Sequence, residues 1–208
     1  MLSPETLLLF LTSSTLLALA PGPDNLFVLA QSMAHGARSG LLITLGLCTG
    51  LLVHTSAVAF GLAVVFQTST VAFTVLKFLG AAYLLYLAWQ ALRPHHSDAP
   101  RAGGQRMKPG QLYRRGIIMN ITNPKVSIFF MAFLPQFTDP AQGNVTLQLI
   151  LLGVLFILSA LLVFGIISLL SGSIGKRLRQ TPGVETLLNR LAGTVFAALA
   201  VKLLVSER

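Results

Sequence analysis

A single cysteine, Cys48, stands in the whole chain. One thiol excludes an intrachain disulfide framework and a dithiol redox couple. Acids are nearly as scarce, with six Asp and Glu against fifteen Lys and Arg. Charged residues of both signs make up only 10% of the chain, where soluble globular domains carry roughly 25%. No HExxH pattern occurs, and Asp24 is the one acid expected deep in an apolar segment, without an acid partner in another. The usual catalytic sets are therefore missing, and an enzyme is not expected. Basic residues are also absent ahead of the first apolar run, whose flank holds only Glu5. Residues 6–20, ending in Ala18-Leu19-Ala20, would otherwise pass for a cleavable leader, but a leader needs a positive flank.

What the chain has in quantity is apolar sequence. Hydrophobic residues make up 54%, mean hydropathy is +0.76, and no formal charge lies between Arg38 and Lys77. That run holds a bilayer span of about 20 residues, a turn and the start of another span. The chain reads as an all-α integral membrane protein, residues 1–208 forming one transmembrane domain with no room for a separate soluble one. Apolar windows predict six helices, roughly 4 to 32, 40 to 66, 69 to 92, 116 to 137, 146 to 174 and 184 to 205.

The net charge of +9 follows the spans. Arg38, then Arg93, Arg101, Arg106, Lys108, Arg114 and Arg115, then Lys176, Arg177 and Arg179 fall in alternate connections. The connections near 67 and at 138–145 hold no Lys or Arg. The positive-inside rule makes the basic connections cytoplasmic and puts both termini outside if all six segments cross. The charge is thus a topology signal, and no nucleic-acid partner is expected. The polar stretch 93–115 reads as a cytoplasmic linker, and its His95, His96 and Asp98 give too few fixed ligands for a metal site. No metal or cofactor is expected.

Three spans precede the linker and three follow it, so repeat one (1–92) and repeat two (116–208) have opposite orientation. Their features match in order. Pro21-Gly22-Pro23-Asp24 interrupts the first span of repeat one, and Asn123-Pro124-Lys125 interrupts the first span of repeat two. Lys77-Phe78-Leu79-Gly80 parallels Arg190-Leu191-Ala192-Gly193, with Tyr83 and Phe196 three residues later. Gly46 and Gly153 sit near the starts of the second spans, and Gly46 with Gly50 forms a small-xxx-small spacing that suits close helix packing. The pattern predicts two inverted three-helix repeats, each opening with a helix broken at a proline motif. Paired broken helices point to a transporter binding site.

Proline removes a backbone donor and disfavours helix at the residue before it, so Pro21, Pro23 and Pro124 each free carbonyls that must be satisfied away from lipid. Each break also starts a new helix. Gly22 or Asn123 would cap it, with Asp24 or Lys125 in its first turn. Two helix N-termini are expected to open near the membrane centre, presenting N–H groups and positive dipole ends. Asp24 and Lys125, with Asn25, Asn120 and Asn123 around them, complement an amino-acid zwitterion. Asp24 would meet the ammonium, and Lys125 with the helix ends would meet the carboxylate. The alternative is a structural Asp24–Lys125 ion pair. His54 suits either proton exchange or an interhelical hydrogen bond. Lys77 and Arg190 suit snorkelling, with gating as the alternative.

The stretches LALAPGPDNLFVL, HGARSG at 35–40, LKFLGAAYLLYLA at 76–88 and NITNPKVSIFFMAFLPQF at 120–137 resemble the LysE/RhtB family of bacterial amino-acid exporters. The resemblance implies a multi-pass protein of the bacterial cytoplasmic membrane that exports amino acids or close derivatives, driven by the proton gradient. It is closer in texture to the homoserine, threonine and leucine exporters than to the lysine and arginine ones. A channel or a metal-ion exporter of similar architecture is the rival reading. Metal export would favour several intramembrane carboxylates or thiolates. Whether the protein forms a homo-oligomer stays open.

Overall fold

The computed structural model describes residues 2–20, 22–62, 70–93, 107–180 and 182–205. The described residues are helical apart from short turns. Helix α1 (Pro4–Leu19) starts on a proline behind Ser3, whose Oγ accepts from the Thr6 N–H at 3.2 Å. Helix α2 (Pro23–His35) leaves α1 at 59°, and α3 (Ala37–Ser56) follows after the single residue Gly36. Gly36 has φ +87°, a conformation that suits glycine and lets the chain reverse in one residue. A π-helix, Ala57–Leu62, continues α3, and α4 spans Thr70–Leu92.

The second half runs the same way. Helix α5 (Pro109–Thr122) meets α6 (Pro124–Ile128), and the bend between Pro109–Thr122 and Pro124–Phe137 is 52°. A second π-helix, Phe129–Phe133, and a 3₁₀ turn, Leu134–Phe137, extend α6. Helix α7 (Val145–Gln180) and α8 (Pro182–Val205) complete the bundle. Helix α5 begins inside the stretch read as linker, because its first turns are polar and escape a hydropathy window. His95, His96 and Asp98 lie outside the described residues.

Two helical segments, Ala37–Gly61 and Val145–Ser171, are each long and apolar enough to cross a membrane, and each bent pair qualifies when taken as one span. Leu8, Val71, Phe78, Leu158, Leu169 and Val205 are exposed. In water such apolar faces would associate; in a bilayer they meet lipid tails.

The halves pack across one another. Helix α3 packs on α5, α7 packs on both α1 and α2, α3 also packs on α2 and α7, and α4 pairs with α8. Glycines set the closest approaches. A Cβ on Gly46 would meet the Tyr113 carbonyl oxygen and, at 3.0 Å, the Cα of Gly116. One on Gly116 would meet the Ile43 carbonyl oxygen. The two backbones touch there, and backbone cannot yield as a side chain can. Gly46→Ala is therefore expected to cost about 1–3 kcal/mol of stability, the usual penalty for overpacking. The check is Tm and monodisperse yield in detergent, with Gly61→Ala as control because nothing lies within 4 Å of that position. An unchanged Tm for Gly46→Ala would refute the contact.

Candidate functional site

The two breaks face each other at the middle of the bundle, and each is tied down by residues of the other. Helix α1 ends with free carbonyls, as any helix C-terminus does. The Lys125 Nζ, from the opposite half, donates to the carbonyl oxygens of Ala20 at 2.9 Å and Leu17 at 3.3 Å. Asn25 Nδ2 donates to the Ala18 oxygen at 2.7 Å. Polar side chains thus satisfy three carbonyls where the bilayer supplies no water. A cation at a helix C-terminus also opposes the helix dipole favourably.

In return, Asp24 reaches the other break. Its Oδ2 accepts from Asn123 Nδ2 at 2.9 Å, while Asn123 Oδ1 accepts from the Lys125 backbone N–H at 3.0 Å. Asn123 therefore caps α6 and holds Asp24 at once. His54 Nε2 lies 3.2 Å from the backbone oxygen of Asn120, the last-turn carbonyl of α5. A carbonyl only accepts, so this contact requires the proton on Nε2.

The structure departs from two open helix N-termini. The α6 end is filled by its own Asn123 side chain, whereas α2 starts at Gly22 with no side-chain cap. A side chain at that start would press on the lysine. A Cβ there would lie 3.3 Å from Lys125 Nζ. Asp24 and Lys125 do not form the alternative ion pair: among the described residues no carboxylate oxygen lies within 4.0 Å of the Lys125 ammonium. Their charges still interact electrostatically.

Both groups line a central cavity with Asn25, Asn120, Leu51 and Phe156. Asp24 is 4% exposed; the Asn120 side chain also interacts with its carboxylate, more weakly than Asn123, but no donor meets hydrogen-bond geometry at Oδ1, and Asn120 Oδ1, in a residue 2% exposed, has no partner either. Buried acceptors are nearly always satisfied, so two unpaired ones on one small cavity mark a place for a donor. Asn120 is seated by Gly50, where a Cβ would come within 2.7 Å of its side chain. Lys125 has spent two of its three N–H donors on carbonyls and keeps one. The cavity leaves about 20 Å³ of room for water centres, enough for about one water. An amino acid needs more, so this is a closed arrangement.

Among the expected residues, Asp24, Asn25, Asn120 and Lys125 line the cavity, Asn123 braces it from behind, and Pro23 and Pro124 are the first residues of α2 and α6. Pro21 lies outside the described residues. His54 is one bond away through the Asn120 carbonyl. Lys77 on α4 and Arg190 on α8 are not among the cavity residues. Sequence reasoning missed the carbonyls of Leu17 and Ala20 as partners for Lys125. The signal was there: a helix that stops before a proline must leave carbonyls open. Among the described residues no group of three or more His, Cys, Asp or Glu side chains could hold a metal ion.

Comparison with known proteins finds relatives over nearly the whole chain. The chain is 35% identical over 199 residues to a homoserine/homoserine lactone efflux protein of Salmonella typhi, covering 96% of this chain and 95% of the relative. It is 29% identical over 201 residues to an uncharacterized membrane protein of Vibrio cholerae, covering 96% and 97%. It is 27% identical over 195 residues to a leucine efflux protein of Salmonella choleraesuis, covering 93% and 92%. No solved structure matches. The family model for LysE type translocators matches residues 15–207. A match over nearly the whole chain, with both helix breaks inside it, shows that the protein belongs to the LysE type translocator family.

Proposed function

We propose that the protein is a secondary transporter that exports small neutral amino acids or close derivatives across the bacterial cytoplasmic membrane, by alternating access between two inverted halves and in exchange for protons. The lengths of α4 and α8 support six crossings: with 23 and 24 residues, each is about 35 Å long, enough for a hydrocarbon core of about 30 Å. The matching α3–α5 and α7–α1 pairings support the inverted repeat. The observation that carries the substrate reading is the buried, unpaired Oδ1 of Asp24. Homoserine, its lactone and leucine, the cargo named for the relatives, share an α-ammonium group. The lactone has no free carboxylate, so the carboxylate of Asp24 is the element all three need. Lys125, with its remaining N–H beside the uncapped start of α2, receives the substrate carboxylate where there is one. Asn25 and Asn120 line the space between them. His54 passes protons next to the α5 end that the substrate contacts.

The test is efflux from proteoliposomes loaded with homoserine, homoserine lactone, leucine and lysine under an imposed proton gradient. Saturable efflux of a neutral species, at least about tenfold above empty liposomes, is expected, and loss of the gradient should abolish it. Flux that never saturates would mean a channel. Divalent-cation flux with no amino-acid movement would mean a metal exporter, and either result overturns the reading.

A further inference from the structure

Ser14 on α1 is 0% exposed, and its hydroxyl has no hydrogen-bond partner. Its neighbours behave otherwise. Thr12 and Ser13 donate to the carbonyls of Leu8 and Leu9, and Ser32, Thr44, Thr55, Ser159 and Ser168 likewise bond back one turn in their own helices. Back-bonding is the standard way for a hydroxyl to sit within a helix. Ser14 has turned away from it.

Its position gives the reason. Leu17 and Ala18, three and four residues on, share its helix face and line the central cavity. Phe10, four residues before, is the first ring of an aromatic wall. Phe10 meets Phe137 at 5.1 Å between centroids, Phe137 meets Phe133 at 4.6 Å, and Phe133 meets Phe129 at 4.5 Å. Phe129 meets Phe156 at 5.4 Å, Phe156 meets Phe130 at 5.0 Å, and Phe130 lies 5.7 Å from the His54 ring. All six phenylalanines are buried, and Phe156 also forms part of the cavity lining. The wall therefore begins where the cavity ends. Its middle is carried by the π-helix Phe129–Phe133, which contacts the other π-helix, Ala57–Leu62. π-Helical turns are rare and are frequently found at functional sites. By the placement of the basic connections this end of the bundle faces away from the cytoplasm.

We infer that the exported solute leaves the cavity along the α1 face past Ser14, whose hydroxyl takes over its polar head group, and that the Phe10–Phe137 contact is the outer gate. The inference rests on the transport reading and deepens it. Ser14 offers a donor and an acceptor in one group, which suits an ammonium or a carboxylate in passing, and the rings beyond it exclude water until the gate opens.

Two measurements test it in proteoliposomes and in detergent. Ser14→Ala removes a buried, unpaired hydroxyl, so its Tm should equal or exceed that of the wild type, while its export rate should fall about fivefold or more, the size expected for one lost hydrogen bond. A purely structural serine would lower Tm instead, and that result, or unchanged export, overturns the inference. For the gate, Ser14→Cys in a Cys48→Ala background is treated from outside with a membrane-impermeant thiol reagent. Labelling should be negligible with Phe137 present and faster by about tenfold or more in Phe137→Ala, since deleting a buried ring opens a cavity at the contact. Ala81→Cys, buried on α4, should stay unlabelled in both. No acceleration at Ser14→Cys, or equal acceleration at Ala81→Cys, refutes the gate. If wild-type liposomes export no amino acid, the transport reading fails. If they export and Ser14→Ala exports equally well, only the exit path fails.

Discussion

Lys125→Ala is expected to reduce export by about 10- to 100-fold or more per folded molecule, and also to lower Tm. The two effects have separate causes. Nζ holds the Ala20 and Leu17 carbonyls at the end of α1, and alanine takes their side-chain donor away inside the bundle. Each orphaned carbonyl costs about 1–3 kcal/mol, a large part of a total stability of about 5–15 kcal/mol. The transport loss comes from the third N–H and the positive charge beside the uncapped start of α2. A charged hydrogen bond to a substrate carboxylate is worth about 1.5–3 kcal/mol, which is about 10- to 150-fold at 1.4 kcal/mol per decade. Lys125→Arg separates the two. Guanidinium retains charge and donors for the carbonyls, so Tm should return most of the way to wild type. Export should stay low, because a broad planar guanidinium that keeps the two carbonyls does not reproduce the compact ammonium whose remaining N–H serves the cavity. The measurements are efflux normalised to folded protein and Tm in detergent. Wild-type export by Lys125→Ala would end the role assigned to this lysine.

The breaks were legible because they obey local steric rules. A proline disfavours helix at the residue before it, a glycine or asparagine can start the next helix, and the structure starts α2 behind Gly22 and α6 behind Asn123. Partners were less legible. That Lys125 would face protein or water, away from lipid and toward some partner, followed from its depth alone. Whether that partner would be the Asp24 carboxylate or the α1 carbonyls depends on how two half-helices from distant parts of the chain abut, which local sequence does not encode. Helix α5 begins earlier than its apolar window because Gln111, Arg114 and Arg115 occupy its first turns. The π-helices were beyond reach for a related reason: FFMAF reads equally well as α-helix, and the shift in hydrogen-bond register goes with the packing of Phe129, Phe130 and Phe133 against Phe156 and Phe137. Ser14 gave no signal because a serine within a membrane helix ordinarily satisfies itself.

Asp24→Asn should give the cleanest loss of function. The amide has the shape of the carboxyl, and its oxygen can still accept from Asn123 Nδ2, the 2.9 Å bond that ties α2 to the α6 cap. Removing a charge that is 4% exposed lifts a desolvation cost. Folded yield and Tm should therefore match or exceed wild type, in contrast to Lys125→Ala. The variant loses the anionic acceptor on the cavity, and with it about 1.5–3 kcal/mol of charged hydrogen bonding to an ammonium, so export should fall by about 10- to 150-fold. The substrate pair makes the assignment specific. Homoserine and its lactone keep the same ammonium, so Asp24→Asn should depress both equally. Only homoserine has a carboxylate, so Lys125→Arg should depress homoserine more than the lactone. An Asp24→Asn variant that exports either compound at the wild-type rate would remove the carboxylate from the binding site. A lactone-to-homoserine ratio unchanged by Lys125→Arg would leave Lys125 as the cap of α1 and nothing more.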